Sequence, residues 1–198
     1  GIEVIGLSAN GDVMLLYKPD GKGSGNVFVS YMNAQGVFGK PEKLDAKINS
    51  GGEEIAASIT SEGNVLFFAS NRKGGFGGTD IYVCKKIGPN KWSEPLNAGA
   101  DVNTIYDEDF PNCSPDGKTL YFSSKGHTSM GGYDIFKSTM DENYKLFSKP
   151  KNIGYPINTT DDDMNFRISK NGKYGYFASS KAGGQGDFDI YRVIFNEV

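Results

Sequence analysis

The chain has 198 residues, 24 acids against 21 Lys and Arg, and a net charge of -3. One His and two Cys cannot build the usual zinc site or a disulfide framework, and a net-acidic chain whose only arginines are Arg72, Arg167 and Arg192 has no basic field for nucleic acid. Hydrophobic residues at 37% and aromatics at 13% exclude a disordered tail, and no apolar run approaches the ~20 residues of a membrane-spanning helix. Gly1-Ile2-Glu3 reads as the start of a cloned or processed segment, so the missing secretory leader says nothing about compartment.

Taken in order, the predicted elements repeat. The chain opens in a short strand near Val4 to Leu7, turns at Ser8-Ala9-Asn10-Gly11 and continues as Val13 to Tyr17, then Asn26-Val27-Phe28, a run near Phe38 followed by Pro41, and Asn49-Ser50 with Glu53-Glu54. The second copy runs Ala56 to Ile59, Thr60-Ser61-Glu62-Gly63, Val65 to Ala69, a glycine cluster from Gly74 to Gly78, Asp80-Ile81-Tyr82, Trp92, Pro95, Asn103-Thr104 and Asp107-Glu108-Asp109. The third gives Phe110 to Cys113, Ser114-Pro115-Asp116-Gly117, Thr119 to Ser123, Gly131-Gly132, Asp134-Ile135-Phe136, Phe147, Pro150, Asn158-Thr159 and Asp161-Asp162-Asp163. The fourth begins at Asn165 to Ile168, turns at Ser169-Lys170-Asn171-Gly172 and ends in strands Tyr174 to Ala178 and Ile190 to Ile194. Asn26, Asp80, Asp134 and Asp189 are spaced by 54, 54 and 55 residues.

The runs after each turn glycine are aromatic and β-branched, the signature of strands buried on both faces, and no segment sustains helical periodicity. Four short antiparallel strands per repeat make a β-propeller blade. The sequence therefore predicts an all-β propeller domain over residues 1–198, with about four blades (approximately 2–54, 55–108, 109–163 and 164–198). The last blade lacks its outermost strand, which implies an arc of a larger ring or a four-bladed ring closed imperfectly.

Residues recurring in every blade are read as architecture: Asp80, Asp134 and Asp189 accept backbone N–H bonds in glycine-rich turns, and Asp116 sets its hairpin. The acids before the innermost strands, Glu54, Asp107, Asp109, Asp161 and Asp163, would converge at one channel mouth if the ring closes, where oxygen ligands suit Ca²⁺; a solvated turn is the plainer reading. Residues outside the repeat are the candidates for partner or ligand binding. Arg167 stands where other copies have Ser58 and Asn112 and offers a fork of donors to a carboxylate, or pairs with nearby acids. Tyr106, Phe110 and Phe166 form a candidate aromatic surface at the same mouth, with core packing as the competing explanation. His127 lies in the loop Lys125 to Gly131 with no Gly-x-Ser-x-Gly elbow to make it catalytic. Cys113 fills a core slot, and Cys84, in a different blade, is not expected to bridge to it.

Ser114-Pro115-Asp116-Gly117-Lys118-Thr119-Leu120-Tyr121-Phe122-Ser123-Ser124 followed by Gly131-Gly132-Tyr133-Asp134-Ile135-Phe136 resembles the WD-like propeller repeat of TolB-type and Tricorn-type proteins. The stretches Lys125 to Ser138 and Asn152 to Asp163 resemble the propeller of OmpA-family, PorE-like outer-membrane-associated proteins, some of which belong to the type IX secretion system. The first repeat departs from the pattern, with Lys18-Pro19 in place of Ser-Ser and Asn26 in place of Asp. The resemblance implies a periplasmic, outer-membrane-associated setting, a protein or peptide partner, no membrane insertion, and peptidoglycan binding only through a flanking domain. The expected function is a non-catalytic scaffold without a cofactor, its least repeated loops (Lys18 to Gly25, Lys125 to Met130, Met140 to Leu146) forming the partner surface. The alternatives are a sugar, peptidoglycan fragment or other small ligand in the channel, or a sialidase- or glycosidase-like enzyme suggested by the Ser-x-Asp-x-Gly turns.

Overall fold

A computed structural model describes residues 1–21 and 24–195, so residues 22 and 23 of the loop Lys18 to Gly25, and the end of the fourth repeat, lie outside the described residues. Sixteen strands form four antiparallel sheets in chain order, with no helix among the described residues. The first blade holds β1 (Glu3–Leu7), β2 (Val13–Pro19), β3 (Gly25–Tyr31) and β4 (Glu42–Lys43). The second holds β5 (Ala56–Ile59), β6 (Val65–Ser70) and β7 (Asp80–Gly88), with β8 (Lys91–Trp92) and β9 (Leu96–Asn97) both on the outer edge of β7. The third holds β10 (Glu108–Cys113), β11 (Thr119–Ser124), β12 (Asp134–Thr139) and β13 (Lys151–Asn152), and the fourth β14 (Asp163–Ile168), β15 (Tyr174–Ser179) and β16 (Asp189–Ile194). The innermost strands β1, β5, β10 and β14 follow one another around an axis, making a four-bladed β-propeller.

Each inner hairpin is built by one device. The turn glycines Gly11, Gly63, Gly117 and Gly172 sit at φ of 67° to 77°, a region that suits glycine, and each donates its N–H to the carbonyl of the Ser or Thr three residues earlier. That residue's hydroxyl accepts from the first N–H of the next strand: Ser8 from Val13 at 3.0 Å, Thr60 from Val65 at 3.2 Å, Ser114 from Thr119 at 2.9 Å and Ser169 from Tyr174 at 2.9 Å. Ser114 also donates to Asp116 at 2.6 Å, which holds the Asp116 carboxyl below its ordinary range.

The outer strands lie elsewhere than the aromatics suggest. Phe38 and Phe147 make only isolated bridges to Met32 and Met140, and the paired outer strands β4, β9 and β13 each begin one residue after Pro41, Pro95 and Pro150. Two residues cannot cap a strand edge, so a side chain completes the pairing. Asn49, Asn103 and Asn158 present amide groups that imitate a backbone: each Oδ1 accepts the N–H of Val27, Ile81 or Ile135 at 2.6 to 2.8 Å, and each Nδ2 donates back to the same residue's carbonyl at 2.8 to 3.1 Å. All six of these residues are buried.

The core lies between blades. Val13, Leu15, Val27 and Val29 of the first blade meet Leu66, Phe68, Tyr82 and Cys84 of the second, while Val65, Phe67, Ile81 and Val83 meet Leu120, Phe122 and Phe136 of the third. Ile135 and Tyr121 then meet Phe166, Phe177 and Tyr191 of the fourth. Strand β6 is buried on both faces, but β15 is not: Tyr176, Ile190 and Ile194 expose one face of the fourth sheet because no described sheet follows it.

Carboxylates before the innermost strands lock each blade to the connection that precedes it. Glu54 accepts from Ser50 and, at 2.7 Å, from Ser70; Glu108 accepts from Thr104 and, at 2.6 Å, from Ser124. Asp163 is one methylene shorter: it takes the N–H and hydroxyl of Thr159 at 2.6 and 2.8 Å, but Ser179 does not reach it, and its buried Oδ1 has no partner. Asp163→Glu is therefore expected to gain the missing bond and raise the unfolding free energy by about 1 kcal/mol; a loss of stability on urea denaturation would contradict this. Asn103→Ala strands the buried N–H of Ile81, whose carbonyl keeps the N–H of Ala98 at 2.9 Å, so a loss of about 1–3 kcal/mol is expected in the same measurement, and no loss would show that the outer strand suffices alone.

Candidate functional site

Innermost strands bend where they line the axis. The β10–β11 register shifts between Asp109 and Asn112, and the β14–β15 register shifts between Met164 and Arg167, each at a bulge whose residue, Phe110 or Asn165, has φ near +50°. The bulge in β14 sends the Arg167 side chain across the gap to the first blade. Its Nε donates to Asn165 Oδ1 at 3.1 Å and its Nη2 to the Ile5 carbonyl at 3.0 Å, and beside it Lys170 Nζ donates to Asn10 Oδ1 at 2.9 Å. These bonds join the first and last blades.

A cavity of about 410 Å³ lies here, lined by Gly6, Leu7, Ile59, Asn112, Arg167 and Lys170 among others, none of them an Asp or Glu. Two of the five guanidinium N–H groups of Arg167 are used, and no carboxylate among the described residues pairs with it, so the ion pair offered as its simpler explanation does not form among them. Enclosure lowers its pKa to about 10, which leaves it charged at neutral pH. Arg167 and Lys170 place two positive charges in the lining of this cavity.

The other sequence candidates are dispersed. Phe166 is buried in the core between the third and fourth blades, 4.8 Å from Tyr121 and 6.3 Å from Phe195, so it contributes nothing to a binding surface. Phe110 is half-buried, edge-on to Tyr133 at 6.3 Å, and Tyr106 is exposed, its carbonyl accepting from Gly78 at 3.1 Å. His127 is exposed but lies back against the fold: its Nε2 lies 2.9 Å from the Val102 carbonyl, and its ring sits 6.0 Å from Phe122 and 5.2 Å from Phe136. A carbonyl only accepts, so that nitrogen carries the proton.

His127 belongs to a series that sequence reading missed. Each of the last three blades stacks two rings, Phe68 on Tyr82, Phe122 on Phe136 and Phe177 on Tyr191, at 5.6 to 6.0 Å. Over each pair lies a basic side chain: Arg72 at 4.8 and 5.0 Å, His127, and Lys181 at 5.5 and 3.6 Å. Arg72 donates to the carbonyls of Lys47 and Ile48 as His127 does to Val102, stitching each blade to the connection before it. A basic residue seven or eight positions before Asp80, Asp134 and Asp189 was the available signal.

The candidate calcium ligands do not converge. Glu54 and Asp163 are consumed inside their own blades, Asp107 pairs with Lys125 at 2.9 Å, Asp161 is exposed, and Asp109 is buried. No group of three His, Cys, Asp or Glu side chains among the described residues is placed to hold a metal ion. Asp80 accepts from Phe76 and Gly77, Asp134 from Met130, and Asp189 from Gln185 and Gly186, each closing its own glycine-rich loop. Both cysteines are buried and free, and burial raises each thiol pKa to about 12.

Asp109 has one near donor, the N–H of Phe110 at 2.7 Å, and burial raises its carboxyl to about 6. Between about pH 4 and 6 the folded protein keeps this proton after the unfolded chain has released it, so stability falls as pH rises through that window. Asp109→Asn is expected to be more stable than the parent by about 1–3 kcal/mol at pH 8 and to lose that advantage near pH 4. An equal difference at both pH values in urea denaturation would contradict this.

No protein-family model matches the sequence, and no curated protein matches it. Among solved structures, a putative TolB from Agrobacterium tumefaciens matches with a TM-score of 0.59 and 19% identity, covering 98% of this chain and 58% of that one. TolB from Acinetobacter baumannii matches with a TM-score of 0.61 and 12% identity over 98% of this chain and 41% of that one. A thermostable family-43 glycoside hydrolase matches with a TM-score of 0.58 and 15% identity over 93% and 68%. The chain thus spans about half the length of the TolB structures it matches, and at these identities the likeness is one of fold: the β-propeller shared by TolB-type proteins and by enzymes.

Proposed function

We propose that the chain is a non-catalytic β-propeller module of the bacterial periplasm that binds a protein or peptide partner at its central channel. The observation that carries this reading is Arg167, a guanidinium with unused donors and no counter-ion among the described residues, set with Lys170 in a cavity of about 410 Å³ that has no described carboxylate in its lining. The complement of such a site is a carboxylate, from an acidic side chain or a chain terminus, held by paired N–H bonds. A peptidoglycan fragment, whose stem peptide ends in a carboxylate, is the small-ligand version of the same chemistry. The periplasmic setting is supported by the TolB-like fold together with the loop sequences, and the outer-membrane association and link to type IX secretion rest on the resemblance of Lys125 to Ser138 and Asn152 to Asp163 to OmpA-family, PorE-like propellers.

The family-43 hydrolase likeness raises an enzymatic reading. Glycoside hydrolysis by the usual routes needs two carboxyl groups about 5–10 Å apart across the scissile bond, and the lining of this channel supplies none. Of the buried acids at the innermost strands, Glu54, Glu108 and Asp163 are turned into their own blades, and Asp109 is not in the lining.

Titration with a pentapeptide bearing a free C-terminal carboxylate and with the same peptide as its amide tests the channel. The carboxylate form should bind at least about tenfold more tightly, about 1.4 kcal/mol, and Arg167→Gln should remove the difference. Equal binding of the two forms, or turnover of aryl glycosides abolished by Arg167→Ala, would overturn the proposal.

A further inference from the structure

Two of the inner turns carry Asn-Gly, at Asn10-Gly11 and Asn171-Gly172, and both asparagines are exposed. Their amides are held differently. Asn10 is spread between two other blades: its Nδ2 donates to the Ser61 carbonyl at 3.0 Å, and its Oδ1 accepts from Lys170 Nζ at 2.9 Å. Asn171 is folded back on its own turn, where its Oδ1 accepts the Ser169 hydroxyl at 2.7 Å and the N–H of Lys173, two residues on, at 3.1 Å. Its Nδ2 has no partner among the described residues. The third blade builds the same arrangement around an acid. Asp116 Oδ1 accepts the Ser114 hydroxyl at 2.6 Å and the N–H of Lys118 at 3.1 Å.

An asparagine followed by glycine can exchange its amide for a carboxylate, because the next backbone nitrogen, with no Cβ beside it, is free to attack the side-chain carbonyl carbon. The N–C bond forms, the amide nitrogen leaves as ammonia with the proton of that N–H, and water opens the resulting five-membered imide to aspartate or isoaspartate. Three features of the Asn171 turn favour this sequence. The bond to Lys173 curls the side chain over the Gly172 peptide, which turns the carbonyl carbon toward its attacker. Two donors on Oδ1 hold that oxygen as it becomes negative. The leaving nitrogen is unheld, and nothing lies within 4 Å of where a Cβ at Gly172 would stand, so water has access. At Asn10, Lys170 also polarises the carbonyl, but it draws the amide away from Gly11, and Ser61 holds the leaving nitrogen. Both glycine N–H groups donate to a serine carbonyl at 2.8 Å, so that bond does not separate the two sites.

We propose that Asn171 is a site of water-driven deamidation in the folded protein, that Asn10 is protected, and that the turn accepts the aspartate formed as the third blade accepts Asp116. The reaction adds a negative charge to the turn that carries Lys170, a lining residue of the channel. It does not depend on what the channel binds.

The 198-residue protein, held for weeks at mildly alkaline pH either folded or unfolded in guanidinium chloride, tests this when conversion at each asparagine is followed by peptide mapping with mass spectrometry. In the folded protein Asn171 should convert at least about tenfold faster than Asn10, and in the unfolded chain the two rates should agree within about threefold, since both residues precede glycine. Asn171→Asp should fold with the stability of the parent. The proposal is overturned by a smaller ratio in the folded protein, by a ratio as large in the unfolded chain, or by an Asn171 that converts only when unfolded. A destabilised Asn171→Asp variant overturns it as well.

Discussion

Everything in this propeller depends on how a short blade satisfies the backbone of its third strand. A buried N–H without a partner costs on the order of 1–3 kcal/mol, and the short outer strands, whose following residues Leu44, Ala98 and Ile153 reach the carbonyls of Val27, Ile81 and Ile135, leave the N–H groups of those three residues uncovered. Asn49, Asn103 and Asn158 fill those places with an amide that donates and accepts as a peptide group does. Each asparagine sits in the connection leading to the next blade, so the bond that completes one sheet also fixes where the following innermost strand begins. The buried acids Glu54, Glu108 and Asp163 lie five residues further on and tie that strand to the connection. Local satisfaction of hydrogen bonds and radial placement of blades are one constraint.

That constraint explains why most of the repeated polar residues are unavailable for chemistry. Of the carboxylates that look like a cation site in sequence, Glu54 and Asp163 are engaged by groups of their own blade, Asp107 pairs with Lys125, Asp109 is buried and Asp161 is exposed. The basic residues Arg72, His127 and Lys181 are held over stacked aromatic pairs by geometry that recurs from blade to blade. Arg167 stands outside the scheme. It lies on an innermost strand, after a bulge, and reaches a neighbouring blade with donors to spare.

The fold was legible in the sequence because the period is carried by turn residues with specific backbone demands: glycine at positive φ, a Ser or Thr hydroxyl three residues earlier, and an Asp before the third strand. The hairpin strands were legible for the same reason. The outer strands were not, since a pair of residues has no periodicity, and the aromatics Phe38 and Phe147 suggested a strand earlier than the prolines that actually mark its start. The candidate site was less legible. Arg167 could be singled out because it breaks the repeat, whereas the burial of Phe166 and the stacking of His127 depend on how neighbouring blades meet, which spacing within one blade does not encode. The roles of the asparagines were hidden because an Asn-Ser or Asn-Thr pair reads as a turn until its amide is seen against the neighbouring strand.

Amide hydrogen exchange on the isolated chain examines the central interaction most directly. The N–H groups of Val27, Ile81 and Ile135, each held by an asparagine, should exchange orders of magnitude more slowly than that of Ile190, which has the same place in its blade and no such partner. Comparable protection at all four positions, or fast exchange at all four, would contradict the account.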